Sequence, residues 1–203
     1  MNNYTIIEDC SPYYIRFTHS GIEDIINTCA RIADETVYTK PFTNHKIDDD
    51  VSKDIMELLP MSNQLKIKKD RLTMFVSQPG FYYRTHKDGV DHRCSINYPI
   101  KVLDNQCVTS WYSDDDIQRY KINGNPTLQV PGYQGREVEG FVKSNHVPLK
   151  SMVAIQGECI LFNTDIYHDW DNTTSQNERM VLTLRLENPG TMYFDDVKKI
   201  LFE

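Results

Sequence analysis

The sequence predicts a mainly β fold with flanking helices, and three observations lead there. In residues 93–100, Cys94, Ile96, Tyr98 and Ile100 are apolar while Arg93, Ser95 and Asn97 are polar. In residues 179–187, Met180, Leu182, Leu184 and Leu186 alternate with Arg179, Val181, Thr183 and Arg185. A period of two marks strands whose two faces meet different surroundings. Third, 203 residues with 39% hydrophobic content can bury one sizeable core, so a single domain is the natural reading.

Taken in order, residues 4–7 and 13–17 read as a short β lead-in. Ser20 and Glu23 are spaced as a capping box, and Ile22, Ile25, Ile26, Cys29 and Ile32 then share one helical face, expected to pack outside the main sheet. A second helix is expected over 51–59, stopped by Pro60. Strands are expected over 72–78, 82–86, 94–100, 107–111 and 159–162. Residues 114–150 are polar, acidic at Asp114, Asp115 and Asp116, and rich in turn formers. A stretch of that length reads as an insert acting as binding loop or lid, with short strands near 127–130 and 138–142. Residues 194–202 read as a terminal helix. The domain 1–203 thus divides into N-terminal strands and supporting helices (1–69), a core (70–188) carrying the 114–150 insert, and a C-terminal helix (189–203).

His86 and Asp88 carry the chemistry, in the run YYRTHKDGVDHRCSINYPI. On a strand they project from one face about 7 Å apart and can converge on one ion. His168, in LFNTDIYHDWDN, supplies a third donor after a turn at 163–165. Two imidazoles and a carboxylate leave the opposite positions of a metal open, the ligand set of non-haem Fe(II) oxygenases. If the polar run 172–177 is a hairpin loop centred between Thr173 and Thr174, the return strand sets Arg179 opposite His168. A guanidinium held there suits a bidentate grip on a carboxylate. Arg185 is its rival; about 20 Å of strand separates the two, so only one is expected to reach the pocket. In the same reading the polar strand faces line a wet site, and Asn97, Ser95 and Tyr83 are candidates for contacts to a cosubstrate or behind the ligands. His19, His45, His92 and His146 read as ordinary surface or core residues, and Trp111 and Tyr112 as core or edge aromatics.

The ordered set His86-x-Asp88, His168 and Arg179 resembles the 2-oxoglutarate/Fe(II)-dependent dioxygenases. The Pro79-Gly80 step and the Arg93…Asn97-x-Pro99 run further resemble the branch with aspartyl/asparaginyl and prolyl hydroxylase-like proteins, including small bacterial and phage oxygenases. The resemblance spans roughly residues 70–188. It implies a double-stranded β-helix (jelly roll, cupin-like), Fe(II) held by His86, Asp88 and His168, and Arg179 pairing the distal carboxylate of 2-oxoglutarate. Arg179 stands one position later than the family's commoner spacing. O2 is the second implied cosubstrate, and hydroxylation of a C–H in a peptide side chain, amino acid or small metabolite the implied outcome. Retention of Asp88 argues against the halogenating relatives, which lack the acid. The alternatives are a cupin-type metal protein without 2-oxoglutarate, as enzyme or sensor, and a degenerate binding module. Arg179 separates the first from an oxygenase, because a metal-only site gives it no reason to be there.

A net charge of −7 argues against a phosphate-backbone partner, and the short basic cluster from Lys66 to Arg71 reads as a solvated strand or loop end. The expected partner is a small-molecule or peptide substrate, and no motif indicates an oligomeric state. Five cysteines, at 10, 29, 94, 107 and 159, are odd in number, widely spaced and without a CxxC pair, as in reduced thiols of a cytoplasmic protein. MNNYTIIEDC has no basic segment leading a long apolar one, so no secretory signal is expected, and no run is long enough to span a membrane.

Overall fold

A computed structural model describes residues 4–67, 72–88, 93–120, 138–142, 147–186 and 192–203, with backbone alone for 117–120 and 138–142. The order is β1 (Tyr4–Cys10), β2 (Tyr14–His19), α1 (Ile22–Asp34), β3 (Phe42–Lys46), α2 (Asp49–Leu58), β4 (Thr73–Ser77), β5 (Phe81–His86), β6 (Cys94–Lys101) and β7 (Val108–Tyr112). There follow β8 (Ile117–Tyr120), β9 (Val138–Val142), β10 (Lys150–Val153), β11 (Cys159–Asn163), β12 (Tyr167–Asn172), β13 (Arg179–Arg185) and α3 (Phe194–Phe202). A seven-stranded sheet runs β1-β2-β11-β6-β13-β4-β3 and faces a four-stranded sheet β10-β7-β12-β5, while β8 and β9 pair as a separate ribbon. From β4 to β7 the chain changes sheet at every step, and it does so again from β10 to β13. That winding is the expected double-stranded β-helix.

The alternation in β6 and β13 has a direct cause. Ile96, Tyr98, Ile100, Met180, Leu182, Leu184 and Leu186 belong to one buried cluster with Ile22, Ile25, Ile26 and Cys29 of α1, Ile55 of α2, and Val197 and Leu201 of α3. Ser95, Asn97, Arg179, Val181, Thr183 and Arg185 turn the other way, into a cavity between the sheets. A second cluster fills the other half of that space: Tyr14, Trp111, Met152, Ala154, Ile160 and Phe162. None of the described helices is long and apolar enough to cross a membrane.

Several expectations change. α1 does not use Ser20 as its cap: Gly21 takes that position at φ 85°, without a side-chain cap. A Cβ on Gly21 would meet the Leu58 carbonyl oxygen at 3.2 Å, so the chain turns from β2 into α1 on a residue whose left-handed backbone and close approach suit glycine. Strands β3, β8 and β10 were not anticipated, and the strand expected near 127–130 lies outside the described residues. Most consequentially, β12 and β13 are not a hairpin ladder. β12 pairs with β5 and β7, whereas β13 pairs with β6 and β4. The 172–177 run is a crossover between sheets, so Arg179 faces the β12 strand across the sandwich rather than along a ladder.

Candidate metal centre

The ladder between β12 and β5 aligns His168 with His86, and Trp170 with Tyr83, with an irregularity between. Asp88 lies past the end of β5. Donor atoms of His86, Asp88 and His168 all lie within 4.8 Å of one another, the one such group among the described residues. His86 Nε2 stands 3.4 Å from Asp88 Oδ1, and the two imidazole centroids are 4.4 Å apart.

Each imidazole is oriented from behind. His86 Nδ1 lies 2.8 Å from the Arg84 carbonyl oxygen and His168 Nδ1 2.8 Å from that of Ile166. A carbonyl only accepts, so both Nδ1 atoms carry a proton and both Nε2 atoms are turned to the shared point. Burial, reinforced by the neighbouring His86, pushes His168 down to about 4, so it is neutral near pH 7. For Asp88 burial acts upward, but the hydrogen bond with His86, the neighbouring imidazoles and the Arg185 charge outweigh it and hold the carboxyl below its ordinary value. Two imidazoles that turn Nε2 to one point, beside a carboxylate held towards its ionised form, are the donors that a divalent transition ion takes. The residues therefore fit such an ion.

The centre opens on a cavity of about 520 Å³. Arg179 enters it from β13, 8% exposed, with its Cζ 5.2 Å from the Trp170 ring centre. Its Nε is buried without a hydrogen-bond partner, a costly arrangement for a cation unless a ligand compensates it. Trp170 stacks on Tyr83 at 4.5 Å, Tyr83 meets His86 edge-on at 4.8 Å, and Phe42 packs against both Tyr83 and Trp170. Arg185 lines the same cavity, with its Cζ 6.0 Å from the Phe75 ring centre. The expectation that only one of the two arginines reaches the pocket fails: both line it, from opposite ends of β13. Ser95 and Asn97 line the wall from β6, joined by a 3.3 Å hydrogen bond.

Sequence reasoning passed over Trp170, although alternation from His168 puts it on the same strand face. Thr109 opposite it on β7 and Asn44 and Phe42 on β3 also line the cavity and had no comparable signal.

The architecture is similar to that of solved 2-oxoglutarate/Fe(II) oxygenases. HygX from Streptomyces hygroscopicus, solved with nickel and 2-oxoglutarate bound, superimposes with a TM-score of 0.54 at 8% identity, over 89% of this chain and 84% of that one. A Pseudomonas putida prolyl-4-hydroxylase gives 0.49 at 15% identity over 87% and 92%, and a Burkholderia pseudomallei oxidoreductase of the 2OG-Fe(II) oxygenase family 0.45 at 13% over 82% and 90%. At these identities the common property is the double-stranded β-helix fold. No protein-family model matches the chain, and no curated protein matches it in sequence.

Proposed function

We propose that this chain is a 2-oxoglutarate- and Fe(II)-dependent dioxygenase that hydroxylates a C–H of a peptide side chain, an amino acid or a small metabolite. One observation carries the reading: three metal-ligating donors within 4.8 Å of one another share a cavity with a buried arginine whose Nε has no partner. A metal alone accounts for the triad and leaves Arg179 unexplained; a dicarboxylate cosubstrate accounts for both.

Bound there, Fe(II) with O2 and 2-oxoglutarate supplies the oxidation, releasing succinate and CO2 as the substrate C–H gains a hydroxyl. The chain's own part is positional. His86, Asp88 and His168 fix one face of the site and leave the rest open. Arg179 takes the distal carboxylate by charge-assisted hydrogen bonds, in surroundings that Phe42, Trp170 and Phe75 keep poor in water. Ser95 and Asn97 offer polar groups along the same wall, and Tyr83 offers its own from the facing sheet. The five cysteines are free thiols, four of them buried, which supports a reducing compartment such as the cytoplasm.

The deciding experiment is an anaerobic titration with Fe(II) and then 2-oxoglutarate. A weak visible band from the chelated cosubstrate is expected. Tight metal uptake without that band at saturating 2-oxoglutarate would instead assign the chain to metal-only cupins.

A further inference from the structure

We propose that the Arg93–Asp165 ion pair holds Asp88 in its metal-binding pose, making Arg93 and Asp165 positioning residues for the acidic ligand; this rests on the metal reading above. The three donors are not secured alike. His86 ends β5 and His168 lies within β12, so both are fixed by strand ladders and by their Nδ1 contacts. Asp88 belongs to no strand, and something else has to hold it.

Two main-chain bonds at Thr164 tie Asp88 and Arg93 to the turn before β12. The Asp88 N–H donates to the Thr164 carbonyl at 3.1 Å, and the Thr164 N–H donates to the Arg93 carbonyl at 3.2 Å. The Arg93 side chain crosses the same junction, its Nη1 donating to both Asp165 oxygens at 3.1 and 2.9 Å. Its guanidinium also lies 4.8 Å from the centre of the Tyr193 ring, next to α3. The turn itself is anchored from the opposite side. The Asp165 N–H donates to Asn163 Oδ1 at 3.0 Å, and Asn163 Nδ2 donates to the Pro12 carbonyl at 2.8 Å. Arg93–Asp165 is thus a side-chain link between the start of β6 and the anchored turn whose Thr164 carbonyl accepts from Asp88. With side chains 23% and 42% exposed, the pair is too solvated to matter much to overall stability. Its leverage is local, because a carboxylate outside the sheet must be brought to within a few ångströms of two fixed imidazoles.

The test is anaerobic Fe(II) calorimetry on the full chain, with thermal melting of the metal-free protein alongside. Asp165→Ala and Arg93→Ala are each expected to weaken Fe(II) binding about 10-fold, the lower end for residues that orient a ligand. The metal-free melting temperature should move by less than about 4 °C, as for a half-exposed pair, and Arg93→Lys should recover part of the affinity. The specific signature is non-additivity: in an Asp88→Ala background, Asp165→Ala should cost nothing further. Unchanged affinity in both single variants would overturn the proposal, and so would equal losses with and without Asp88. If Asp165→Ala does not fold, Asp165→Asn should give a smaller loss of affinity in the same direction, and no loss there counts against the proposal. Wild-type protein that takes up no Fe(II) would overturn the metal reading itself, a result distinguishable from failure of the clamp alone.

Discussion

The space between the two sheets has two halves built to opposite rules. In one, Trp111 is fully buried, stacked on Tyr14 at 5.3 Å and packed on Phe162 at 4.9 Å, and its indole N–H donates to the Asn163 carbonyl at 3.2 Å. In the other, β6 and β13 present Ser95, Asn97, Thr183 and two arginines to a cavity of about 520 Å³. Phe162 is the partition: it belongs to the filled half, and its ring meets His168 edge-on at 4.9 Å. The filled half and the helix-side core carry stability, so the open half can hold a desolvated imidazole and a buried arginine, each unfavourable alone. Natural folds keep such local conflicts at functional sites and offset them elsewhere.

The sharpest way to break this comparison is to exchange the expected phenotypes of the two halves. His168→Ala should abolish Fe(II) uptake in calorimetry and leave the melting temperature of the metal-free protein nearly unchanged, because it removes a group that burial disfavours. Trp111→Ala should do the reverse, costing about 3–5 kcal/mol of stability, roughly 6–20 °C in melting temperature for a chain of this size. The variant that remains folded should still bind Fe(II). A His168→Ala protein that melts far below wild type would show that the open half is structural after all.

The same division explains what the sequence reveals. β6 and β13 are legible because each separates an apolar helix-side face from a polar cavity-side face, so their alternation is a physical necessity. β11, Cys159–Asn163, is buried along its whole length and reads as a strand by its apolar run. β3, Phe42–Lys46, is a half-exposed edge strand without alternation, and nothing in FTNHK announces it or its contribution to the cavity. The error over β12 and β13 has a different source. Loop composition says where a chain turns and nothing about which sheet the next strand joins, and in a wound sandwich consecutive strands part company. Arg179 still arrives at the cavity because opposing strands, like paired ones, bring their facing side chains together. Asp88 was legible as a chemical type, but its tether through Thr164, Arg93 and Asp165 is a tertiary arrangement with no local signature.

Acid should weaken the molecule through the open half. The unfolded chain takes up a proton at His168 near its ordinary value of 6.5, whereas the folded one resists until about 4. Stability of the metal-free protein is therefore indifferent to this group above about pH 6.5, declines as the pH falls towards 4, and levels off below. The loss is at most on the order of 3 kcal/mol, from one pKa unit being worth about 1.4. Asp88, whose carboxyl lies below its ordinary value, works in a separate window, contributing stability that is lost only as the pH drops below about 3.8. Urea unfolding between pH 4 and 7 should show a shallower slope for His168→Gln than for wild type. Equal slopes would mean that another group governs acid sensitivity.

The smallest expected effect is also the one that best separates the two arginines of the open half. Arg179 is the more buried, with its Nε unpartnered and its guanidinium over Trp170. Arg185 sits at the Asp88 end, where its charge helps to keep that carboxyl ionised. Arg179→Ala should raise the apparent KM for 2-oxoglutarate about 30-fold, the low end of the roughly 2–5 kcal/mol lost when a buried charge partner is truncated. Fe(II) affinity should stay as it was, since Arg179 is not one of the three donors. Arg179→Met should give the same KM defect in a metal-free protein at least as stable as wild type, because an apolar chain of similar length removes an uncompensated buried charge. Arg185→Ala should disturb Fe(II) affinity before it disturbs KM, through Asp88. If Arg185→Ala raises KM and Arg179→Ala does not, the cosubstrate lies towards the Asp88 end, and the aromatic wall of Phe42, Tyr83 and Trp170 would then surround the prime substrate instead.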